Sequence, residues 1–189
     1  MPPNRSFRAV ARWLAPTAAA PLIATAVAVP AHAAPLVPNA PFKARTQAAG
    51  NRCLDADLGT ITTLVTKVQL WDCNFGEQQV WNTRLWSNST VAVWTRIRPN
   101  WCLDANPGGW NGTVVELREC NGSIGQQWQV RGLNSPYRIV HIPTDRCLEA
   151  AAATVGHNGS TIQLWDCNGQ LHQGWATVYT AASAQPIFP

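Results

Sequence analysis

The residues of most definite chemistry in this sequence are six cysteines: Cys53, Cys73, Cys102, Cys120, Cys147 and Cys167. A zinc site would need clustered thiols or a C-x-x-C pair, and a catalytic thiol would stand alone. The sequence has neither pattern. An even number of well-separated cysteines points instead to disulfides in an oxidising compartment. The carboxylates Asp55, Asp104 and Glu149 each follow a cysteine by two residues. They recur at equivalent places, so they do not meet as the pair, about 5 to 9.5 Å apart, that glycoside hydrolysis requires. G-x-S-x-G and H-E-x-x-H do not occur, and His141, His157 and His172 share no ligand spacing. Neither catalysis nor a metal nor a cofactor is expected.

The recurrence itself is the strongest signal. Cys73, Cys120 and Cys167 are separated by 47 and 47 residues, and Trp81, Trp128 and Trp175 repeat the same two steps. Each tryptophan closes a Q-x-W phrase: Gln79-Val80-Trp81, Gln126-Gln127-Trp128 and Gln173-Gly174-Trp175. Each first cysteine opens a matching phrase, Cys53-Leu54-Asp55, Cys102-Leu103-Asp104 and Cys147-Leu148-Glu149. A period of this length, three times over and in phase, is an internal repeat and governs the fold. Threefold symmetry leaves two disulfide patterns, one within units and one between neighbouring units. Pairing within units (Cys53–Cys73, Cys102–Cys120, Cys147–Cys167) is preferred, because each unit then closes its own short loop, a gain of about 3 kcal/mol each in the chain-entropy model.

The elements that must position these residues read as strands. Val68 and Leu70, Val115 and Leu117, and Ile162 and Leu164 alternate with polar or aromatic neighbours, and Val91–Trp94 and Arg138–Ile142 are β-branched runs. Asn106-Pro107-Gly108-Gly109, Asn121-Gly122 and Asn158-Gly159 supply turn chemistry between them. No stretch after residue 34 keeps a helical period for three turns. Three units are too few for the usual propeller, and they suit a closed barrel capped by hairpins.

The first third of the chain differs. Arg5, Arg8 and Arg12 make a basic start, an uncharged apolar run extends from Leu14 to Pro30, and Ala31-His32-Ala33 sets small residues at alternate positions. That order is expected of a secretory signal peptide over 1–33. As a membrane span the run is broken by Pro16, Pro21 and Pro30 and falls short of about 20 residues. The expected organisation is leader 1–33, linker 34–41, one domain over 42–180 and a tail over 181–189. Beyond the leader, 11 Lys and Arg face 10 Asp and Glu, a net charge of +1. So weak a charge gives no electrostatic case for nucleic acid. The protein is expected to be secreted and extracellular, with no membrane span.

Taken together, C-L-D, then about 14 to 16 residues later Q-L-W-D-C, then Q-x-W, resembles the repeat of ricin B-type lectins, also found in carbohydrate-binding modules of bacterial xylanases. The resemblance covers residues 42 to 180. It implies a β-trefoil of twelve strands, all-β and disulfide-stapled, with three pseudo-symmetric repeats of about 47 residues and a core built on Trp81, Trp128 and Trp175. It also implies one shallow sugar pocket per unit. An exposed aromatic face matches the C–H face of a pyranose. A carboxylate accepts two hydroxyl donors, and an amide both donates and accepts.

By that resemblance the first unit is the best site, with Asp55, Trp71, Gln78 and Gln79; Gln78 stands where the family prefers Asn. The third unit offers Glu149, Trp165, His172 and Gln173, with a longer carboxylate arm and His in place of Asn. The second keeps only Asp104 as a weaker candidate, because Arg118 replaces the aromatic and Gly125 the amide, unless Trp110 swings in from the preceding turn. The implied partners are galactose- or xylose-containing glycans, with a separately encoded partner enzyme as a further option. The competing function is a β-trefoil that binds protein, such as a protease inhibitor or toxin partner. Residue by residue there are plainer roles: Trp71 and Trp165 as hairpin cover, Asp55 and Asp104 as acceptors for turn amides, Asp72 and Asp166 as structural groups, and Asn88, Asn111, Asn121 and Asn158 as glycosylation sequons only in a glycosylating host.

Overall fold

The computed structural model describes residues 41–74, 76–86, 90–132 and 136–178. The expected leader, the linker short of residue 41, the last two residues assigned to the domain, the tail and Asn88 lie outside the described residues. The strands are β1 (Lys43–Thr46), β2 (Arg52–Ala56), β3 (Thr66–Asp72), β4 (Trp81–Leu85), β5 (Val91–Thr95), β6 (Trp101–Asp104), β7 (Glu116–Glu119), β8 (Trp128–Arg131), β9 (Arg138–His141), β10 (Arg146–Ala150), β11 (Ser160–Asp166) and β12 (Trp175–Val178). A single 3-10 turn precedes each Q-x-W tryptophan, at Glu77–Gln79, Ile124–Gln126 and Leu171–Gln173. Among the described residues no helix is long and apolar enough to cross a membrane.

Six strands close a barrel. β1 pairs with β12, β4 with β5, β5 with β8 and β8 with β9. The bridges Phe42↔Trp81 and Tyr137↔Trp175 complete the ring. The other six strands form three antiparallel hairpins, β2–β3, β6–β7 and β10–β11. These hairpins meet one another as a triangular cap, through β3–β7, β11–β3 and the bridge Val114↔Gln163. Each of the twelve described strands thus has a neighbour on both sides, which is how a small all-β chain limits open edges. Each 47-residue unit contributes one cap hairpin, so the repeat read from the cysteines is the structural lobe.

The core follows from the same periodicity. Trp81, Trp128 and Trp175 are buried to 1% exposure or less, and Val68, Leu70, Val115, Leu117, Ile162 and Leu164 are all at 0%. A buried indole N–H needs an acceptor. Here the three donate to the carbonyls of Leu54, Leu103 and Leu148, at 2.9, 3.0 and 3.0 Å. Each core tryptophan is therefore tied to the strand that carries its own lobe's C-L-D or C-L-E phrase. The disulfides join Cys53 to Cys73, Cys102 to Cys120 and Cys147 to Cys167, the pairing within units.

Asp72 and Asp166 join lobes to one another. Asn158 of the third lobe accepts from the Asp72 amide at 2.7 Å and donates to the Asp72 carboxylate at 2.9 Å. Asn111 of the second lobe does the same to Asp166, at 2.8 and 2.9 Å. Arg52 and Arg146 pair with the two aspartates from within their own lobes. Both asparagines precede a glycine with positive φ, Gly112 at +90° and Gly159 at +83°, which is why N-G recurs there. The first lobe lacks N-G at that place. Its loop is bound instead by Arg98 of the second lobe, which donates to the Thr63 carbonyl at 2.8 Å and stacks 3.3 Å from the Trp101 ring centroid.

Candidate functional site

Strand register puts the predicted site residues on one face. Asp55 lies opposite Gln69, and Trp71 lies two residues beyond Gln69 on the same side of β3. The corresponding pairs are Asp104↔Glu116 and Glu149↔Gln163. Gln69 and Gln163 were not among the expected site residues. The Q-L-W phrase held the signal, since period-2 alternation places the Gln beside the Trp.

In the first lobe Asp55, Asp57, Leu58, Gln69, Trp71 and Gln78 line one hollow of about 200 Å³. Asp55 is 3% exposed and its two oxygens are held from behind. Gln69 Nε2 donates to Oδ1 at 3.1 Å and Gln79 Nε2 to Oδ2 at 3.0 Å. Asp55 therefore does not serve turn amides. Burial pushes its carboxyl pKa up, and the hydrogen bonds from Gln69, Gln79 and, least, Gln78 oppose that push. Trp71 stays 40% exposed at the hollow.

Gln79 requires a correction. It is wholly buried behind Asp55, with Nε2 also donating to the Asp72 carbonyl at 2.9 Å and Oε1 accepting from the Asn74 amide at 2.8 Å. It positions the carboxylate and has no atom left for a ligand. Gln173 repeats this geometry with Glu149 at 2.8 Å, the Asp166 carbonyl at 2.9 Å and the Asn168 amide at 3.0 Å. Gln126 makes the same backbone contacts in the second lobe, to the Glu119 carbonyl at 2.8 Å and from the Asn121 amide at 3.0 Å. The Gln of Q-x-W is thus a brace in all three lobes.

The third lobe brings its predicted residues together differently. Glu149 is 2% exposed and accepts from Gln163 at 3.0 Å and Gln173 at 2.8 Å, while His172 Nε2 stands 3.2 Å from Oε2. The extra methylene of Glu carries the carboxylate into contact with the side chain expected to help grip a ligand. Trp165 remains 37% exposed.

In the second lobe Asp104, Ala105, Asn106, Pro107, Val114, Glu116 and Arg118 line a hollow of about 470 Å³. Arg118 pairs with Glu116 at 3.0 Å and offers no aromatic face. Burial raises the pKa of Asp104, hydrogen bonding from Gln126 and the Arg118 charge oppose that, and the Glu116 charge adds to it. The rear wall is also altered. A Cβ on Gly125 would come within 2.6 Å of the Ala105 carbonyl oxygen, so no amide side chain fits there without moving backbone. The Gly125 carbonyl accepts from the Ala105 amide at 3.0 Å and from His141 Nε2–H at 3.2 Å, and the Thr144 hydroxyl donates to His141 Nδ1 at 3.0 Å. His141 faces Trp128 across the strands, where Thr95 faces Trp81 and Thr46 faces Trp175. Trp110 does not complete this hollow. It is 71% exposed on a turn fixed by its own amide donating to Thr113 Oγ1 at 2.9 Å, and it is not among the lining residues.

Among the described residues no group of three or more His, Cys, Asp or Glu side chains could hold a metal ion.

No curated protein matches the sequence. Solved structures do. The designed threefold-symmetric protein ThreeFoil has TM-score 0.68 and 20% identity, over 74% of this chain and 99% of its own. The ricin B-like lectin of Macrolepiota procera in complex with lactose has TM-score 0.63 and 17% identity, over 76% and 98%. The exo-beta-1,3-galactanase of Clostridium thermocellum has TM-score 0.65 and 18% identity over 75% of this chain, which spans only 30% of that enzyme. At these identities the likeness establishes the fold. The family is established by the match of the ricin-type beta-trefoil lectin domain to residues 41–175, so this chain belongs to the ricin-type β-trefoil lectin domain family.

Proposed function

We propose that the protein is an exported carbohydrate-binding module whose first lobe holds one pyranose residue of a glycan. The observation that carries this reading is the pairing of Asp55 and Trp71 in one hollow. Trp71 offers a flat apolar face to the sugar C–H groups, and Asp55, fixed by Gln69 and Gln79, accepts two neighbouring hydroxyls. Gln78, half-buried at the rim, donates to or accepts from a third. A pocket this open should bind a single sugar at about millimolar Kd, near −4 kcal/mol. Galactose- and xylose-containing glycans are the first to test; the solved relatives bound to lactose or acting on galactan support that choice.

In this reading the second lobe is silent, and the third binds weakly because His172 already occupies the Glu149 carboxylate. The function is binding and not hydrolysis. Asp55, Asp104 and Glu149 belong to separate lobes, and the second carboxylate in the first hollow, Asp57, accepts from the Gly59 amide and the Thr60 hydroxyl of its own turn. The leader over 1–33 and the three disulfides support export.

The test is a glycan array with the purified chain. Binding to pyranose polymers that disappears in Asp55→Ala and Trp71→Ala is expected. A silent array from a folded protein would reject the reading in favour of a trefoil that binds protein. New reducing ends from oligosaccharide substrates would reject the non-enzymatic part alone.

A further inference from the structure

We propose that Leu58 is a specificity-determining wall of the first hollow, selecting a pyranose that bears a small apolar substituent, such as an acetyl or deoxy-methyl group, over the unsubstituted sugar. The inference rests on the sugar reading of this site. Leu58 lines the same hollow as Asp55 and Trp71 and is 54% exposed. It takes no part in the hydrophobic core, to which this loop contributes Ile61 instead.

The turn that presents Leu58 is held by hydrogen bonds on both sides of it. Asp57 Oδ1 accepts from the Gly59 amide at 3.0 Å, and Oδ2 from the Thr60 hydroxyl at 3.2 Å. The Asp57 amide donates to the Lys67 carbonyl at 2.9 Å, anchoring the turn to β3. A sugar hydroxyl turned towards Leu58 would lose water without gaining a partner, whereas a methyl group there would gain apolar contact. The feature belongs to the first lobe. Three residues beyond each site carboxylate the chain has Leu58, Pro107 and Ala152, and Ala152 has no reach.

Matched sugar pairs decide the point: galactose against N-acetylgalactosamine, and glucose against 6-deoxyglucose, titrated by NMR into the full chain and its Leu58→Ser and Leu58→Ala variants. The wild-type protein should favour the substituted member by about fourfold, which corresponds to about 0.8 kcal/mol. Both variants should bring that ratio close to one. Equal affinity within pairs for the wild type, or a ratio that survives in both variants, overturns the role of Leu58 while leaving the sugar site intact. Binding of no pyranose by a folded protein would reject the site, and Leu58 with it.

Discussion

The first and second hollows rest on the same scaffold and differ in the groups that surround the carboxylate. Both have a disulfide at the hairpin base, a buried tryptophan donating to a leucine carbonyl, and a buried glutamine bracing the Asp-bearing hairpin. Around the carboxylate Gln69 becomes Glu116, Trp71 becomes Arg118 and Gln78 becomes Gly125. The buried set is repeated because barrel closure requires it in every lobe, since a lost indole or an unpaired buried amide costs stability wherever it occurs. The set around the carboxylate carries no such requirement. Where it retains an aromatic beside a braced carboxylate, as in the first lobe, it supplies the two groups on which the proposed sugar site rests.

The largest effect expected concerns His141 of the third lobe, which packs behind the second hollow against Trp128 and stands where the other two lobes have threonine. Burial lowers its pKa from 6.5 to about 4, so the folded state holds the neutral ring. The unfolded chain takes up a proton first as pH falls. Stability from this group is therefore full above pH 6.5 and is lost between there and about pH 4, by up to about 3 kcal/mol. Urea titrations across this range should show the slope in the wild type and lose it in His141→Thr.

Next in size, Asp55→Ala should weaken glycan binding by about 10- to 100-fold, the worth of hydrogen bonds to a charged acceptor, whereas Asp104→Ala should leave it unchanged. Acid should act in the same direction. Protonation of Asp55 removes the acceptor, and because its pKa is raised, binding should fade with a midpoint above the ordinary 3.8. Calorimetric titration at stepped pH checks both.

Smaller effects separate scaffold from site. Gln79→Ala and Gln126→Ala should each cost about 1–2 kcal/mol in thermal unfolding, since each strips a buried brace, but only Gln79→Ala should also weaken sugar binding. Smallest of all, converting the second hollow with Glu116→Gln and Arg118→Trp should add only weak binding, well below that of the first lobe, because Gly125 still leaves no room for the amide.

The fold was legible because it is written as a period. Cysteines, Q-x-W tryptophans and alternating Val and Leu recur in phase, and each has one burial state that satisfies it. For the proposed site, the family resemblance pointed to Asp55 and Trp71, and strand register sets them on one face of the β2–β3 hairpin. Gln79 was misjudged because adjacency in sequence hides that one of two neighbouring glutamines turns inward; Gln78 lines the hollow while Gln79 is sealed. Leu58 and Asp57 depend on turn hydrogen bonds, and the approach of Gly125 to Ala105 on packing across the lobe, neither of which spacing encodes. The Glu149–His172 contact follows from one methylene, visible in sequence as a substitution but not as a contact.

The most direct test of the central claim is a ¹⁵N-resolved NMR titration of the full chain with a galactose- or xylose-containing oligosaccharide, following the indole N–H signals. The account predicts that the Trp71 signal moves in a saturable way, that those of Trp81, Trp128 and Trp175 stay still, and that the response vanishes in Asp55→Ala. Saturable shifts centred on Trp110 or Trp165 with Trp71 unmoved, or a response unchanged by Asp55→Ala, would contradict it.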